Sequence, residues 1–458
     1  MLNRFLLLIC VLVIALGTVV VDFPDGPAAI GLVFLTSAIA ILAFRHFTDE
    51  KEFITIIFLV ALALRMALGV FIHVFELREF FGGDAFAYDL HGARLVDIWL
   101  SRDTLSQEVA FIIDTSSGAG WGMYYITGFI YLIVGRNIFA AQSFCAVIGA
   151  ATAPMVFFCA RKIFNNLGVA KISAVSIAVF PSFVIWSGQL LKDGLIIFLL
   201  VTCMTMVLAL QARISYPAIA TLIVALFGIL TLRFYIFYMA VVAVAGSFVV
   251  GLSASSKSIL RNTVILGLLG FGLMYLGVGR SADTELRIFG NLERVQSSRL
   301  DLARTADSGF GQETDVSTTE GALSAIPVGF AFLMLAPFPW QATNLRQAIT
   351  IPEILVWWAT IPFLIMGLIY TIKHKLRAAF PILIFSLLLT IAYSIFQGNV
   401  GTAYRQRTQI QVFLFILVGV GWTVYKEEKE NKRLARVSAQ KRVNNQLRAG
   451  AAYNREAI

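Results

Sequence analysis

Long apolar stretches recur along the whole chain. From Phe5 to Val424, hydrophobic runs alternate with short polar breaks, and a helix needs about 20 apolar residues to cross a bilayer. The alternation of apolar and polar positions that is typical of a membrane β-barrel is absent. We therefore predict an all-α polytopic transmembrane helix bundle with about 11–13 hydrophobic helices.

The composition agrees with this pattern. Hydrophobic residues make up 59% of the chain, charged residues 14%, and the mean hydropathy is +0.82, which is too apolar for an ordinary water-soluble surface. No small-x-small cleavage site follows the first apolar run, which ends at Val21, so we expect a retained first span. The cysteines lie inside apolar runs without CxxC spacing and are predicted core residues: Cys10, Cys145, Cys159 and Cys203.

The charges predict an orientation. The net charge is +9, and segment 426–458 holds nine Lys and Arg against four Glu. Such a tail is typical of the cytoplasmic side, and a topogenic role is favoured over nucleic-acid binding. The basic clusters at Arg45, Arg161, Lys257 and Lys373 are then cytoplasmic as well. This leaves the polar stretches 73–137, 189–193, 233–235 and 398–407 on the outer side of a multi-pass protein of the inner (plasma) membrane.

A polar loop at 280–320 follows the same logic. It holds five Arg and eight acidic residues, and this lack of positive excess favours the outer side. Segment 321–335 would then be a re-entrant or interfacial helix that ends at Pro337 and Pro339. The alternative is one full span here and a miscounted span elsewhere. We thus divide the chain into a membrane domain, residues 1–425, and a basic tail, residues 426–458.

The first outer loop, 73–137, contains a predicted amphipathic helix. Gly82 and Gly83 allow a tight turn, after which Asp84 could cap the helix. Phe86, Leu90 and Ala93 recur at helical spacing opposite Asp89, His91 and Arg94, as in a helix that lies on a membrane surface. After Gly120 to Tyr125, an apolar run that ends at Gly135 is too short for a span and is predicted to be a second juxtamembrane helix, before a full span from about Ile138 to Ala160.

Two carboxylates of this loop are the candidate catalytic groups. Asp84 and Tyr88 share one helix face at i, i+4, so Asp84 can point towards a lipid-linked headgroup. A pair of acids, Asp84 and Asp89, suits a general base with a metal-binding or orienting partner.

Further charges occur where the other outer loops meet the membrane. Charges at that depth are costly unless they are paired or functional. Lys192 and Asp193 are therefore expected either to form structural ion pairs with a neighbouring helix or to anchor the phosphate of a substrate. Arginine forks match phosphate oxygens bidentately. The predicted substrate-binding residues are Tyr88, Arg94, Lys192, Asp193, Arg233, Tyr235, Arg405 and Arg407.

The order of these features resembles a known superfamily. Asp84 in the first outer loop is followed by a short helix ending in Leu132-Ile133-Val134-Gly135, a span ending in Ala160-Arg161-Lys162, then Pro181 and Lys192-Asp193. Over residues 60–210 this order resembles the GT-C membrane glycosyltransferases, in particular the protein O-mannosyltransferase-like and lipid A aminoarabinose transferase-like enzymes.

The resemblance implies a GT-C-like fold and specific roles. Asp84 would be the base or a metal ligand, with magnesium or manganese as the divalent cation, and Lys192 and the outer arginines would hold the phosphate of a polyprenyl-phosphate sugar donor. The family's acids are adjacent, whereas here Ala85 follows Asp84 and the next acid is Asp89. Which of the two carboxylates is catalytic therefore stays open.

Taken together, these features predict an inverting glycosyltransferase. It would transfer a sugar from a polyprenyl phosphate to a lipid-anchored glycan, lipid or protein acceptor on the outer (periplasmic) face. The reaction would belong to envelope polysaccharide or glycoconjugate synthesis. Membrane lipids are expected partners, and nucleic acid is not. One alternative is a polysaccharide polymerase or ligase that uses polyprenyl-pyrophosphate-linked glycans. Another is a lipid or solute transporter or flippase, for which Arg65 is the best intramembrane charge. The motifs GxxxxGK[ST], HExxH and GxGxxG are absent.

Overall fold

The structure is a computed structural model that describes residues 25–102, 120–250, 256–276, 278, 291–304, 308–342 and 344–456. Within these ranges there are seventeen α-helices and no strand, which confirms the predicted all-α bundle. The predicted first span and Cys10 lie outside the described residues, as does part of the polar loop 280–320.

The helices follow one another in this order: α1 (Asp25–His46), α2 (Lys51–Val74), α3 (Arg78–Phe81), α4 (Asp84–Trp99), α5 (Gly122–Val134), α6 (Ile138–Phe164), α7 (Leu167–Val179), α8 (Pro181–Ser187), α9 (Lys192–Ala212), α10 (Tyr216–Leu232), α11 (Phe234–Val250), α12 (Ser256–Tyr275), α13 (Leu292–Arg304), α14 (Thr319–Leu335), α15 (Leu345–His374), α16 (Leu376–Phe396) and α17 (Val400–Glu456).

Seven of these helices are long and apolar enough to cross a membrane: α1, α2, α6, α9, α15, α16 and α17 as far as Lys441. The pair α7 and α8 would add an eighth span, bent by 55° at a break, and five shorter apolar helices complete the set. The chain is thus a multi-pass membrane protein, and the spans and apolar helices within the described residues fall in the predicted range of 11–13. The predicted short helix before Ile138 is also present, as α5.

Helix α6 lies at the centre of the bundle. Its apolar window is 83% buried, and it packs against α1, α2, α7 and α9. Alanine and glycine occur along its whole length, and such small residues let neighbouring backbones approach closely when no hydrophobic driving force acts within lipid. Asn137 caps its first turn by accepting a hydrogen bond from the Ala140 amide (2.8 Å).

The break between α7 and α8 is stabilised by Arg65 of α2. The guanidinium is buried and donates hydrogen bonds to the carbonyls of Ala178 (3.1 Å) and Ile177 (3.2 Å) and to Ser187 Oγ (2.7 Å). These carbonyls belong to the last turn of α7, whose acceptors have no partner within the helix. Arg65 therefore has a structural role, which removes the observation that motivated the transporter alternative.

Helix α14 stays at one end of the bundle. Near its start, Ala322 and Ala325 pack with Ile395 at the end of α16, and near its end Phe332 stacks on Phe310 at 4.2 Å. The Phe310 amide in turn donates to the Gly398 carbonyl (2.8 Å), just before α17. Both halves of α14 thus contact the segment around the start of α17. A re-entrant or interfacial helix stays a prediction, as does the alternative of a full span.

The last helix extends beyond the membrane bundle. Helix α17 continues without a break past Tyr425, and every residue from Lys426 to Lys441 is exposed. The sequence divided the chain at this boundary into a membrane domain and a basic tail. The side on which the tail lies stays a prediction.

Candidate functional site

Five of the predicted site residues meet at one end of the bundle. They come from four segments distant in sequence: the first residue of α4, the first turn of α9, the turn between α10 and α11, and the second turn of α17. We call this group the charge cluster: Asp84, Lys192, Asp193, Arg233 and Arg405.

Arg405 joins the two carboxylates of the charge cluster. Its Nε and Nη2 atoms lie 2.7 and 2.6 Å from Asp193 Oδ2, and its Nη1 and Nη2 atoms each lie 3.0 Å from Asp84 Oδ2. The face of the guanidinium lies over the ring of Trp186, 5.6 Å from its centroid. Asp193 is completely buried, whereas the side chain of Asp84 is 50% exposed. Of the two carboxylates, Asp84 is the one that a substrate can reach.

The expected cap at the start of α4 is not formed as predicted. Gly83 occupies the capping position and no side chain caps the helix, while Asp84 is the first helical residue. Its carboxylate contacts Arg405 of α17 instead.

Arg233 approaches Asp193 from the turn between α10 and α11. Its Nη2 atom lies 3.6 Å from Asp193 Oδ1, and its guanidinium lies 5.9 Å from the ring centroid of Tyr235. Nη1 is buried and has no hydrogen-bond partner among the described residues. A ligand oxygen would reach this donor only by entering the buried part of the charge cluster.

Lys192 stands at the N-terminus of α9, where the helix dipole adds partial positive charge. Within the described ranges, its ammonium donates no hydrogen bond that would occupy it. The turn at Gly120 packs directly over it: a Cβ at Gly120 would lie 2.8 Å from Lys192 Nζ. Gly120 has a φ of 99°, which side chains disfavour, so this turn requires glycine.

The charges of the cluster favour an anion over a metal ion. Three cations face two carboxylates, both of which are occupied by Arg405, so the cluster carries one excess positive charge. Among the residues that the structure describes, no group of three or more His, Cys, Asp or Glu could hold a metal. The residues present at Asp84 do not fit magnesium or manganese, because a divalent cation would be repelled by three neighbouring positive charges.

Two tyrosines border the charge cluster. Tyr88 lies one turn after Asp84 on α4, is 5% exposed, and its ring lies 5.9 Å from that of Tyr124. Burial raises the pKa of the Tyr88 hydroxyl, and the negative charge of Asp84 raises it further. Tyr88 therefore remains a protonated hydrogen-bond donor. Tyr235 contributes its ring face to Arg233.

Asp89, the second predicted catalytic acid, lies outside the charge cluster. Its carboxylate accepts a hydrogen bond from Tyr131 Oη (2.7 Å) and pairs with Arg136 Nη2 at 2.6 Å. Burial raises the pKa of Tyr131, and the hydrogen bond to Asp89 adds to this effect. These contacts join α4 to α5 and its following turn, which is a structural role.

Two arginines predicted to bind substrate also lie apart from the cluster. Arg94 is half-buried further along α4 and takes no part in the contacts that define the cluster. Arg407 is completely buried, and its Nη1 atom donates to the carbonyls of Ala336 (2.9 Å) and Met334 (3.1 Å) at the end of α14. It stabilises the end of this helix as Arg65 stabilises the end of α7.

A buried network behind Arg405 was missed by the sequence analysis. Glu353 of α15 accepts hydrogen bonds from Tyr404 Oη (2.6 Å) and from Ser182 Oγ. Tyr404 also packs against Trp186, the residue beneath Arg405. The signal was present in the sequence, because a single acid in an apolar run must have a partner in the folded bundle.

Compared with known proteins, the chain matches no protein family model and no curated protein. The resemblance to the GT-C glycosyltransferases therefore stays a prediction from the residues.

Proposed function

We propose that the protein is a membrane glycosyltransferase that transfers a sugar from a polyprenyl-phosphate donor to a lipid-anchored acceptor. The observation that carries this proposal is a half-exposed carboxylate, Asp84, beside the other members of the charge cluster, which are largely buried and carry excess positive charge. The first supplies a base and the second binds a phosphate, which are the two groups that such a transfer needs.

The position of the cluster supports lipid-anchored substrates. Helices α4 and α5 pack against each other and present exposed apolar side chains, including Phe86 and Leu90 on α4 and Phe129 and Ile133 on α5. Large exposed apolar surfaces on a juxtamembrane helix pair are typical of contact with the acyl region of a bilayer. Substrates whose reacting groups lie at the membrane surface would then reach Asp84 without leaving the lipid.

The reaction follows from the roles of these groups. Asp84 takes the proton of the acceptor hydroxyl as the acceptor oxygen bonds to the anomeric carbon. The bond from that carbon to the phosphate oxygen breaks, and its electron pair leaves with the polyprenyl phosphate. Lys192 and Arg233 stabilise the charge that develops there. Direct attack inverts the configuration of the sugar.

Transfer of labelled sugar tests the proposal. Purified protein in lipid nanodiscs would be given a labelled polyprenyl-phosphate sugar and membrane glycolipids as acceptors. We expect Asp84→Asn to lower the rate by about 100-fold or more, as for the loss of a general base. Asp89→Asn should retain most of the rate, since Tyr131 and Arg136 occupy that carboxylate. An unchanged rate for Asp84→Asn would refute the role of Asp84.

The polymerase or ligase alternative is favoured by the two arginines of the cluster, because a pyrophosphate carries more charge than a phosphate. In that case Asp84→Asn would leave product formation intact, whereas Arg405→Lys would abolish it. The comparison should be made with both polyprenyl-phosphate and polyprenyl-pyrophosphate donors.

We further propose that the charge cluster faces the outer side of the membrane and the basic tail the cytoplasm. Cys145, Cys159 and Cys203 are buried, so single cysteines can be introduced for labelling after Cys10 is replaced by serine. We expect Gly83→Cys to react with an impermeant maleimide added outside sealed cells, and Ser438→Cys to react only after lysis. The opposite labelling would reverse the orientation.

A further inference from the structure

We infer that Arg405 is an exchangeable partner of Asp84, and that the phosphate of the donor displaces Asp84 from it. Binding of the donor would thus release Oδ2 of Asp84, so that both carboxylate oxygens can act as the base. This inference rests on the proposed function and specifies how the same site is regulated by its substrate.

The two sides of Arg405 are held very differently. Towards the interior, Nε and Nη2 contact Asp193, which is completely buried, and the guanidinium lies on Trp186. Towards the surface, its contact is with a single oxygen of Asp84, Oδ2, and the Asp84 side chain is 50% exposed. An exposed ion pair of this kind favours association by about fivefold at most. Arg405 is therefore fixed on Asp193, while its contact with Asp84 is weak enough to exchange.

A phosphate has complementary donors beside this contact. Arg233 has a buried Nη1 without a partner among the described residues, and the Lys192 ammonium adjoins the same cluster. A phosphate oxygen that takes the place of Asp84 on Arg405 would gain these two cations as well. Asp84 lies within electrostatic range of Lys192, but its recorded hydrogen bonds come from Arg405, so a phosphate diester that hydrogen-bonds all three cations competes successfully despite its single negative charge.

The exchange has a consequence for the order of events. While Asp84 Oδ2 accepts two hydrogen bonds from Arg405, that oxygen is not available for an acceptor hydroxyl. Once the donor phosphate occupies Arg405, Asp84 is free to take the proton. After transfer Asp84 carries that proton and is neutral, so it does not compete for Arg405 until the proton is lost. Loss of the proton then restores the ion pair and favours release of the polyprenyl phosphate.

Equilibrium binding of a polyprenyl monophosphate without sugar tests this inference apart from catalysis. The wild-type protein, Asp84→Asn, Asp84→Glu and Asp97→Asn would be compared in nanodiscs of uncharged lipid, with the free polyprenol as a probe that lacks the phosphate. Asp97 lies on the same helix as Asp84, so Asp97→Asn removes the same charge from α4 away from Arg405.

We expect Asp84→Asn to bind the polyprenyl phosphate about threefold or more tightly than the wild type, because Arg405 no longer has to exchange partners. Asp84→Glu and Asp97→Asn should bind like the wild type, and the polyprenol should show no difference among the four proteins. Equal or weaker binding by Asp84→Asn, while the wild type binds and transfers sugar, would overturn the exchange and leave the proposed function intact. A wild type that neither binds the phosphate nor transfers sugar would refute the proposed function itself.

Discussion

Replacing Asp193 by asparagine removes the buried counter-charge of the charge cluster. In the wild type its carboxylate contacts Arg405 at 2.6 and 2.7 Å and Arg233 at 3.6 Å. The asparagine amide keeps the shape and one acceptor oxygen. The guanidinium groups of Arg233 and Arg405 then lose their buried counter-charge, and the one carboxylate that remains in the cluster is Asp84, at the surface.

The magnitude follows from burial. Asp193 is completely buried and the Arg233 side chain is 9% exposed, and loss of one partner from a buried ion pair typically costs about 3–5 kcal/mol of folding stability. Because asparagine still accepts one hydrogen bond, we expect about 3 kcal/mol for Asp193→Asn. The matched control is Asp89→Asn, whose partner Arg136 is 58% exposed, and there we expect about 1 kcal/mol or less.

The assay is unfolding of both variants and the wild type in one detergent, followed by intrinsic fluorescence. The difference between the two Asp→Asn variants is the decisive quantity, since it cancels effects of the detergent common to both. A difference of less than about 1 kcal/mol would show that Asp193 is not an essential buried counter-charge. The reasoning on the charge cluster would then be wrong.

Two further predictions concern the segments that position the cluster. Arg65→Gln should lower the free energy of unfolding by about 2–4 kcal/mol, because buried carbonyls at the end of α7 lose their donors. The control Arg161→Gln, at an exposed arginine, should change the free energy of unfolding by about 0.5 kcal/mol or less. Equal effects of the two substitutions would refute the capping role of Arg65. Gly120→Ala should lower the free energy of unfolding by about 1–2 kcal/mol because of the positive φ at this position, and it should reduce the rate of sugar transfer by displacing Lys192. The control Gly83→Ala, with open space around its Cβ position, should change neither the free energy of unfolding nor the rate.

Much of the candidate site was predictable because charged residues are rare in the apolar segments of a membrane protein. Lys192, Arg233 and Arg405 stand out in an apolar sequence, since each must be paired or functional at that depth. The same reasoning did not separate binding from structural roles. Arg407, two residues after Arg405, points away from the cluster to the end of α14, because residues two apart on an α-helix point roughly 200° from one another around its axis.

The sequence by itself determined that most of the chain lies in a lipid bilayer and that its architecture is a helix bundle. Apolar runs of membrane length permit only helices with internally satisfied backbones, and this accounts for the all-α bundle, the short helix α5 and the polar tail after Tyr425.

The tertiary structure decided which acid belongs to the site. Asp84 and Asp89 are equivalent in type and lie on the same helix, yet one contacts Arg405, 321 residues away, and the other contacts Tyr131 and Arg136. Such partners are chosen by how helices pack, and packing depends on the shapes of many side chains at once. No local pattern in the sequence carries that information.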